Sequence, residues 1–229
     1  MSTLTNTVTN ILRQQGLAPL AFNLNGIEVT GQKLAAVADA IAHGKIRCLT
    51  VKAFQNQGKL AQGMTVAARY DITKNALLFE SESYGNAPGE DRTIVHESVH
   101  AIFDLNAPSP KGKKNLAVDD EAAAILTEAF YIRLCGKRVG GFKMMADGPQ
   151  EHALDLADEI LEETKNFTAK PEAYVLSPAQ LMKLRTAVAR DWNFVSFVDT
   201  DGSLTDNSGL MYVYDGVAKC GGGKKVCKY

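Results

Sequence analysis

His96-Glu97-Ser98-Val99-His100 places two imidazoles four residues apart with a carboxylate beside the first. On an α-helix these histidines project from one face, one turn above the other. At that spacing both can bind one metal ion. Glu97, offset around the helix, can still reach a water on such an ion and act as general base. With 4 His in 229 residues, chance produces this pattern with a frequency on the order of 0.004.

The flanks sharpen the signal. At about 100° per residue, with His96 at zero, His100, Thr93, Asp104 and Glu97 all fall within about 100° of arc. The rest of the circumference is Ile94, Val95, Val99, Ala101, Ile102 and Leu105, with Ser98 and Phe103 at the margins. A surface helix is polar over most of its girth. This one is expected to be buried, with its polar strip facing a cleft.

A catalytic zinc takes three protein ligands and keeps one position for water. Asp104 continues the four-residue spacing but stands eight residues from His96, about 12 Å of helical rise. It is therefore expected to support the site, accepting a hydrogen bond from a ligand histidine or a nearby arginine. The better source is a second helix in Asp119-Asp120-Glu121-Ala122-Ala123-Ala124-Ile125-Leu126-Thr127-Glu128, with acids at its positive end. Glu121 is the first candidate for third ligand, and Glu128 and Asp120 are its rivals. The bland alternative is that Asp119, Asp120 and Glu121 only complement the helix dipole.

Upstream, Gly63 to Tyr70 and Asn75 to Glu80 flank the turn-like Asp71-Ile72-Thr73-Lys74 and read as an antiparallel hairpin. The loop Ser81 to Glu90 then enters the motif helix.

The motif resembles the active-site helix of the zincin metallopeptidases. The segment C-terminal to it resembles the gluzincin branch, whose third metal ligand is a glutamate on the next helix. The resemblance covers about residues 64–136 and is specific at the motif itself. It departs from the metzincins, since Ala101-Ile102-Phe103-Asp104-Leu105-Asn106 follows His100 without their glycine and third histidine. The Asn-Glu-x-x-Ser-Asp motif of thermolysin-like enzymes is also absent, so their substrate preferences are not implied. Glu121 lies close to the position the resemblance implies for the third ligand. The resemblance also implies a sheet edge that holds extended substrate by strand addition. The strand around Leu77, Leu78 and Phe79 is the expected edge, with an ordinary core hairpin as the alternative. Tyr84 and Gly85 would line the cleft.

The expected function is a zinc-dependent hydrolase, a metallopeptidase with one Zn2+ per chain acting on peptide or protein substrates. Zinc on His96, His100 and Glu121 would lower the pKa of its water toward about 7. Glu97 would take a proton from it and pass one to the leaving amine. His152, Tyr131, Tyr84 and Arg133 are all conceivable oxyanion donors, and the sequence does not choose. His152 sits in an acid-rich helical stretch, where a solvated histidine is expected. The alternatives are a structural zinc protein closed by Cys135 or the tail cysteines, a silent peptide-binding module, and an exported amidase or protease effector.

The supporting elements read as α+β: a small, mostly antiparallel sheet packed on a helical layer that carries the motif helix. The sequence suggests helices around Thr5 to Gln15, Gly31 to Ala42, Pro149 to Asn166 and Ser177 to Trp192, the last opening with a Ser-Pro cap. Strands or turns are expected at Asn23 to Thr30, Ile46 to Lys52, Val195 to Val198 and Leu210 to Tyr214, and a loop at Gly136 to Gly148. The expected division is an N-terminal segment over 1–60, the catalytic core and following helices over 61–193, and a tail over 194–229. Asp199 to Asp206 reads as a turn between strands rather than a calcium loop, and Lys111 to Asn115 as a solvated basic connection.

Net charge is −1, with 25 basic and 26 acidic residues, so no global field recruits nucleic acid or membrane. No secretory signal or bilayer-spanning run is visible. A cytoplasmic location is the default expectation, with export by a non-classical route open. Cys220 and Cys227 could close a disulfide in an oxidising compartment. Otherwise the 4 cysteines are expected as reduced thiols.

Overall fold

A computed structural model describes residues 2–51, 68–107, 113–136, 148–164, 173–190 and 211–214. In chain order the elements are α1 (Thr3–Leu12), β1 (Ala21–Leu24), β2 (Ile27–Thr30), α2 (Gly31–Ala42), β3 (Arg47–Thr50), β4 (Ala68–Asp71), β5 (Ala76–Phe79), α3 (Glu90–Leu105), β6 (Lys113–Leu116), α4 (Ala117–Leu134), α5 (Pro149–Thr164), β7 (Tyr174–Val175), α6 (Pro178–Arg190) and β8 (Met211–Tyr214). The class is α+β, as the sequence led us to expect. Contacts group the chain into two units. One comprises Met1–Arg13, Leu34–Lys113 and Tyr214–Tyr229, and the other Gln14–Lys33 and Lys114–Val213.

The first unit carries a sheet in the order β3-β5-β4. β5 pairs in parallel with β3 and antiparallel with β4. The expected hairpin is β4 and β5, joined by a 3-10 turn over Ile72–Lys74. Asp71 caps that turn by accepting from the Lys74 amide at 3.1 Å. Asn75 closes it in the left-handed region at φ 47°, where asparagine is one of the few tolerated side chains. α1 packs on α3 and on β3, burying Leu4, Val8, Ile11 and Leu12.

α3 starts abruptly after Gly89, at φ 90°. The Glu90 carboxylate reaches back to accept from the Gly85 and Ala87 amides, each at 2.8 Å. That locks the entry loop onto the positive end of the helix. Gly85 lies at φ 100°, and a Cβ there would meet Thr7 Cγ2 at 2.7 Å and Ile94 Cδ1 at 2.9 Å. The loop therefore approaches α1 and α3 as closely as a backbone can.

In the second unit, α4 is an 18-residue helix buried over nearly its whole length, and α4, α5 and α6 pack on one another. Its sheet has the order β2-β1-β7. Asn23 to Thr30, left between turn and strand by the sequence, forms the β1–β2 hairpin. Its turn residues Asn25 and Gly26 both have positive φ, 50° and 83°, as a tight hairpin of this twist demands. Phe22 of β1 stacks on Phe130 of α4 at 5.6 Å between ring centroids. The Ser177 cap of α6 is present: its hydroxyl accepts from the Gln180 amide at 3.3 Å, and Gln180 Oε1 accepts from the Ser177 amide at 2.9 Å.

Two details differ from expectation. The strands divide into two three-stranded sheets, each holding one antiparallel and one parallel pairing. Alternation in a strand shows which face is buried but not which partner it takes. Lys113 to Asn115 of the supposed solvated connection belong to strand β6, which is paired with β8. The readings of 137–147 as loop, of Val195 to Val198 as strand, of Asp199 to Asp206 as turn, and of the Cys220–Cys227 pair lie outside the described residues. Among the described residues, no helix is long and apolar enough to cross a membrane.

Gly85→Ala should destabilise the fold by about 1–3 kcal/mol, through left-handed strain and overpacking. A lowered denaturant midpoint at unchanged slope is the expected observation, and an unshifted midpoint would contradict the close approach.

Candidate metal centre

The polar strip of α3 is where the motif places it. His100 is buried, and His96 half-buried with its ring edge-on to His100, centroids 5.4 Å apart. One ligand atom each from His96, His100 and Glu121 lies within 4.8 Å of the others. Around a tetrahedral ion with bonds of about 2.1 Å, ligand atoms stand about 3.4 Å apart. Two imidazole nitrogens and a carboxylate oxygen, largely withdrawn from water, form a donor set that fits a metal ion. Among the described residues no fourth His, Cys, Asp or Glu joins the group.

The three consecutive acids at the start of α4 have separate tasks. Asp119, 2% exposed, is gripped by Arg185 of α6 through Nε at 2.6 Å and a second guanidinium nitrogen at 2.7 Å. It also accepts from Asn25 Nδ2 in the β1–β2 turn at 2.9 Å. Asp120 accepts from Asn115 Nδ2 at 2.8 Å. Glu121 turns to the histidines. Successive helical residues point about 100° apart, so only one of three neighbours can face a given ion. Glu128 is a further seven residues along α4, about 10 Å of rise, and is not in the group. Neither Asp120 nor Glu128 is thus brought to the site as a ligand. The dipole reading of these acids is incomplete, because each has a specific partner.

Glu97, the expected base, is tied to the sheet. Its Oε2 accepts from the backbone amide of Tyr70 in β4 at 2.7 Å. The Tyr70 hydroxyl in turn donates to Asp104 Oδ2 at 2.6 Å. Asp104 is fully buried and, as geometry required, stands outside the ligand group. Its hydroxyl partner was not among those expected. Tyr70 is the residue that sequence reasoning missed. Its signal was present: it shares the inward face of β4 with Ala68, and a buried tyrosine hydroxyl requires a polar partner.

Leu77, Leu78 and Phe79 are corrected. They belong to β5, the central strand, with all four residues buried and ladder pairing on both sides. No edge remains there for a substrate. Among the described residues, β4 is the outer strand of that sheet. Tyr84 is also corrected from cleft to core: it is 2% exposed, with its ring 5.1 Å from Phe79. Burial pushes its phenol up to about 12, only partly offset by a hydrogen bond with Thr93.

Of the other conceivable oxyanion donors, Arg133 is paired with Asp158 at 2.6 Å. Tyr131 is buried, with its hydroxyl 3.3 Å from Gln14 Nε2. His152 is half-buried on α5 rather than fully solvated, with Nδ1 enclosed. Cys135 is half-buried and lies outside the ligand group. Comparison with protein-family models, with curated proteins and with solved structures finds no match.

Arg185→Met should cost about 3 kcal/mol, because it strands a buried carboxylate, and urea denaturation would read it. A loss below about 0.5 kcal/mol, the scale of an exposed pair, would show that Asp119 does not depend on this partner. Cys48 of β3 offers a pH test. Burial pushes its thiol from 9.0 up to about 12, more than the Thr5 hydrogen bond lowers it. The thiol should thus resist iodoacetamide at pH 8 in the folded protein and react on unfolding. The folded pKa lies above the unfolded one, so this contribution to stability holds below pH 9 and is lost as pH rises toward 12. Alkylation of Cys48 at equal rates in folded and unfolded protein would contradict it.

Proposed function

We propose that this chain is a zinc-dependent hydrolase, most simply a metallopeptidase, with His96, His100 and Glu121 as its metal ligands and Glu97 as its general base. The observation that carries the reading is that one ligand atom each from His96, His100 and Glu121 lies within 4.8 Å of the others, with the two histidines on a helix whose His-Glu-x-x-His spacing also supplies a carboxylate. Two histidines and one glutamate match a catalytic zinc site, in which three protein ligands leave a position for substrate or water. A bound zinc would supply Lewis-acid polarisation of a substrate carbonyl and make water nucleophilic near neutral pH.

The protein's own groups do the rest. Glu97 takes the proton from the attacking water and returns it to the leaving amine as the amide bond breaks. The Tyr70 amide on Oε2 limits the carboxylate's freedom. β4 replaces β5 as the edge along which an extended peptide could add a strand, consistent with its outer place in the sheet and its packing on α3. A closed structural site would call for a fourth protein ligand and would give Glu97 no task.

Zinc content of untagged protein, measured by mass spectrometry, tests the centre. The parent should hold one ion per chain, Glu121→Ala should lose it and Glu128→Ala should keep it. Glu97→Ala should retain zinc and fold yet lose about 100-fold or more of hydrolysis on a mixed peptide library. A parent that takes up no zinc when it is offered, or a Glu97→Ala protein with full hydrolysis, would overturn the reading.

A further inference from the structure

We infer that Tyr70 and Asp104 form a positioning device for Glu97, setting the orientation of the carboxylate through the backbone of β4. The inference rests on the hydrolase reading above and adds to it two residues outside the motif. Glu97 and Asp104 stand seven residues apart, two turns of α3, and so lie nearly one above the other. A single residue of β4 binds both: the Tyr70 amide donates to Glu97 Oε2 at 2.7 Å, and its phenol donates to Asp104 Oδ2 at 2.6 Å. Both are short hydrogen bonds onto carboxylate oxygens. Tyr70 is 8% exposed and Asp104 fully buried, so water does not substitute easily at the phenol end.

This geometry makes the phenol a register pin. Side-chain packing alone would let a short strand slide or tilt along a helix flank. A hydroxyl held by a buried carboxylate fixes one point, and the amide of the same residue then falls at a set height on α3. Glutamate has three side-chain torsions, so an unheld carboxylate would spread over several rotamers. Held on Oε2, it is pre-organised, and a shift of the strand becomes a shift of the base. Tyr70 and Asp104 thus act through Glu97 and need touch neither metal nor substrate.

The test uses full-length, zinc-loaded protein and acetohydroxamate as probe. A hydroxamate chelates a zinc ion that has open coordination, and its hydroxyl proton passes to a neighbouring carboxylate, so its affinity reports where that carboxylate stands. Titration calorimetry is paired with zinc content. Tyr70→Phe should keep one zinc per chain and bind acetohydroxamate about tenfold more weakly. Asp104→Asn, which keeps an acceptor for the phenol, should stay within about threefold of the parent. Glu97→Ala should lose at least as much as Tyr70→Phe. Adding Tyr70→Phe to Glu97→Ala should then cost nothing further, because the two act through one group.

Should Tyr70→Phe alone unfold by stranding Asp104, the pair Tyr70→Phe with Asp104→Leu removes both partners at little cost in stability and should show the same tenfold loss. Parent-like affinity in the phenylalanine variants, or a loss that persists in the absence of the Glu97 carboxylate, would overturn the device while leaving the zinc site standing. A parent that binds neither zinc nor the probe would overturn the hydrolase reading, and the device with it.

Discussion

A carboxylate taken out of water must be given donors or a cation, and this chain buries four of them close to its candidate centre. Asp104, Asp119, Asp120 and Glu121 are each at most 9% exposed. An unpartnered ion at such depth would cost several kcal/mol. The requirement reaches well beyond the helices themselves. It explains why a tyrosine of β4 turns its hydroxyl inward, why Arg185 of α6 and Asn25 of a hairpin tip converge on one residue, and why Asn115 stands just ahead of α4. Each partner comes from a different element, so satisfying the acids also fixes where those elements lie against the helix ends.

The start of α4 shows how a run of like charges can be sorted by geometry alone. Three adjacent acids would repel if they shared a surface. Rotation about the helix sends them to three destinations: a guanidinium with an amide, an amide, and a pair of imidazoles. Two of the three are thereby neutralised or tied down. Only Glu121 is left as a donor atom beside His96 and His100.

Legibility in the sequence tracked the range of the interaction. The motif and the helix bearing it rest on spacing along one helix, where an angle of about 100° per residue settles what shares a face. The Ser177 cap is likewise local, whereas Glu121 is favoured over its rivals partly by the position the resemblance implies. Strand pairing was not legible, because alternation leaves the partner unspecified. Leu77, Leu78 and Phe79 suit an edge strand and a central one equally well from their residue types, and the arrival of β3 on the second side decides the matter. Tyr70 escaped for the same reason, since its importance lies in two contacts 27 and 34 residues distant. Tyr84 was misplaced because an aromatic residue in a loop reads as a lining group until its packing on Phe79 is seen.

The parallel pairing of Phe22 with Tyr174 sets a timetable for the growing chain. The β1–β2 hairpin has a turn suited to forming on its own, yet a lone two-stranded hairpin is only marginally stable. At about 5–20 residues per second, its third strand leaves the ribosome roughly 8–30 s after β1. The apolar face around Phe22 waits for Phe130 over about the first two thirds of that interval, and the open side of β1 waits for β7 throughout it. An unclosed strand of this kind is a template for pairing with other chains. The early hairpin is therefore a place where newly made copies are exposed to misassociation.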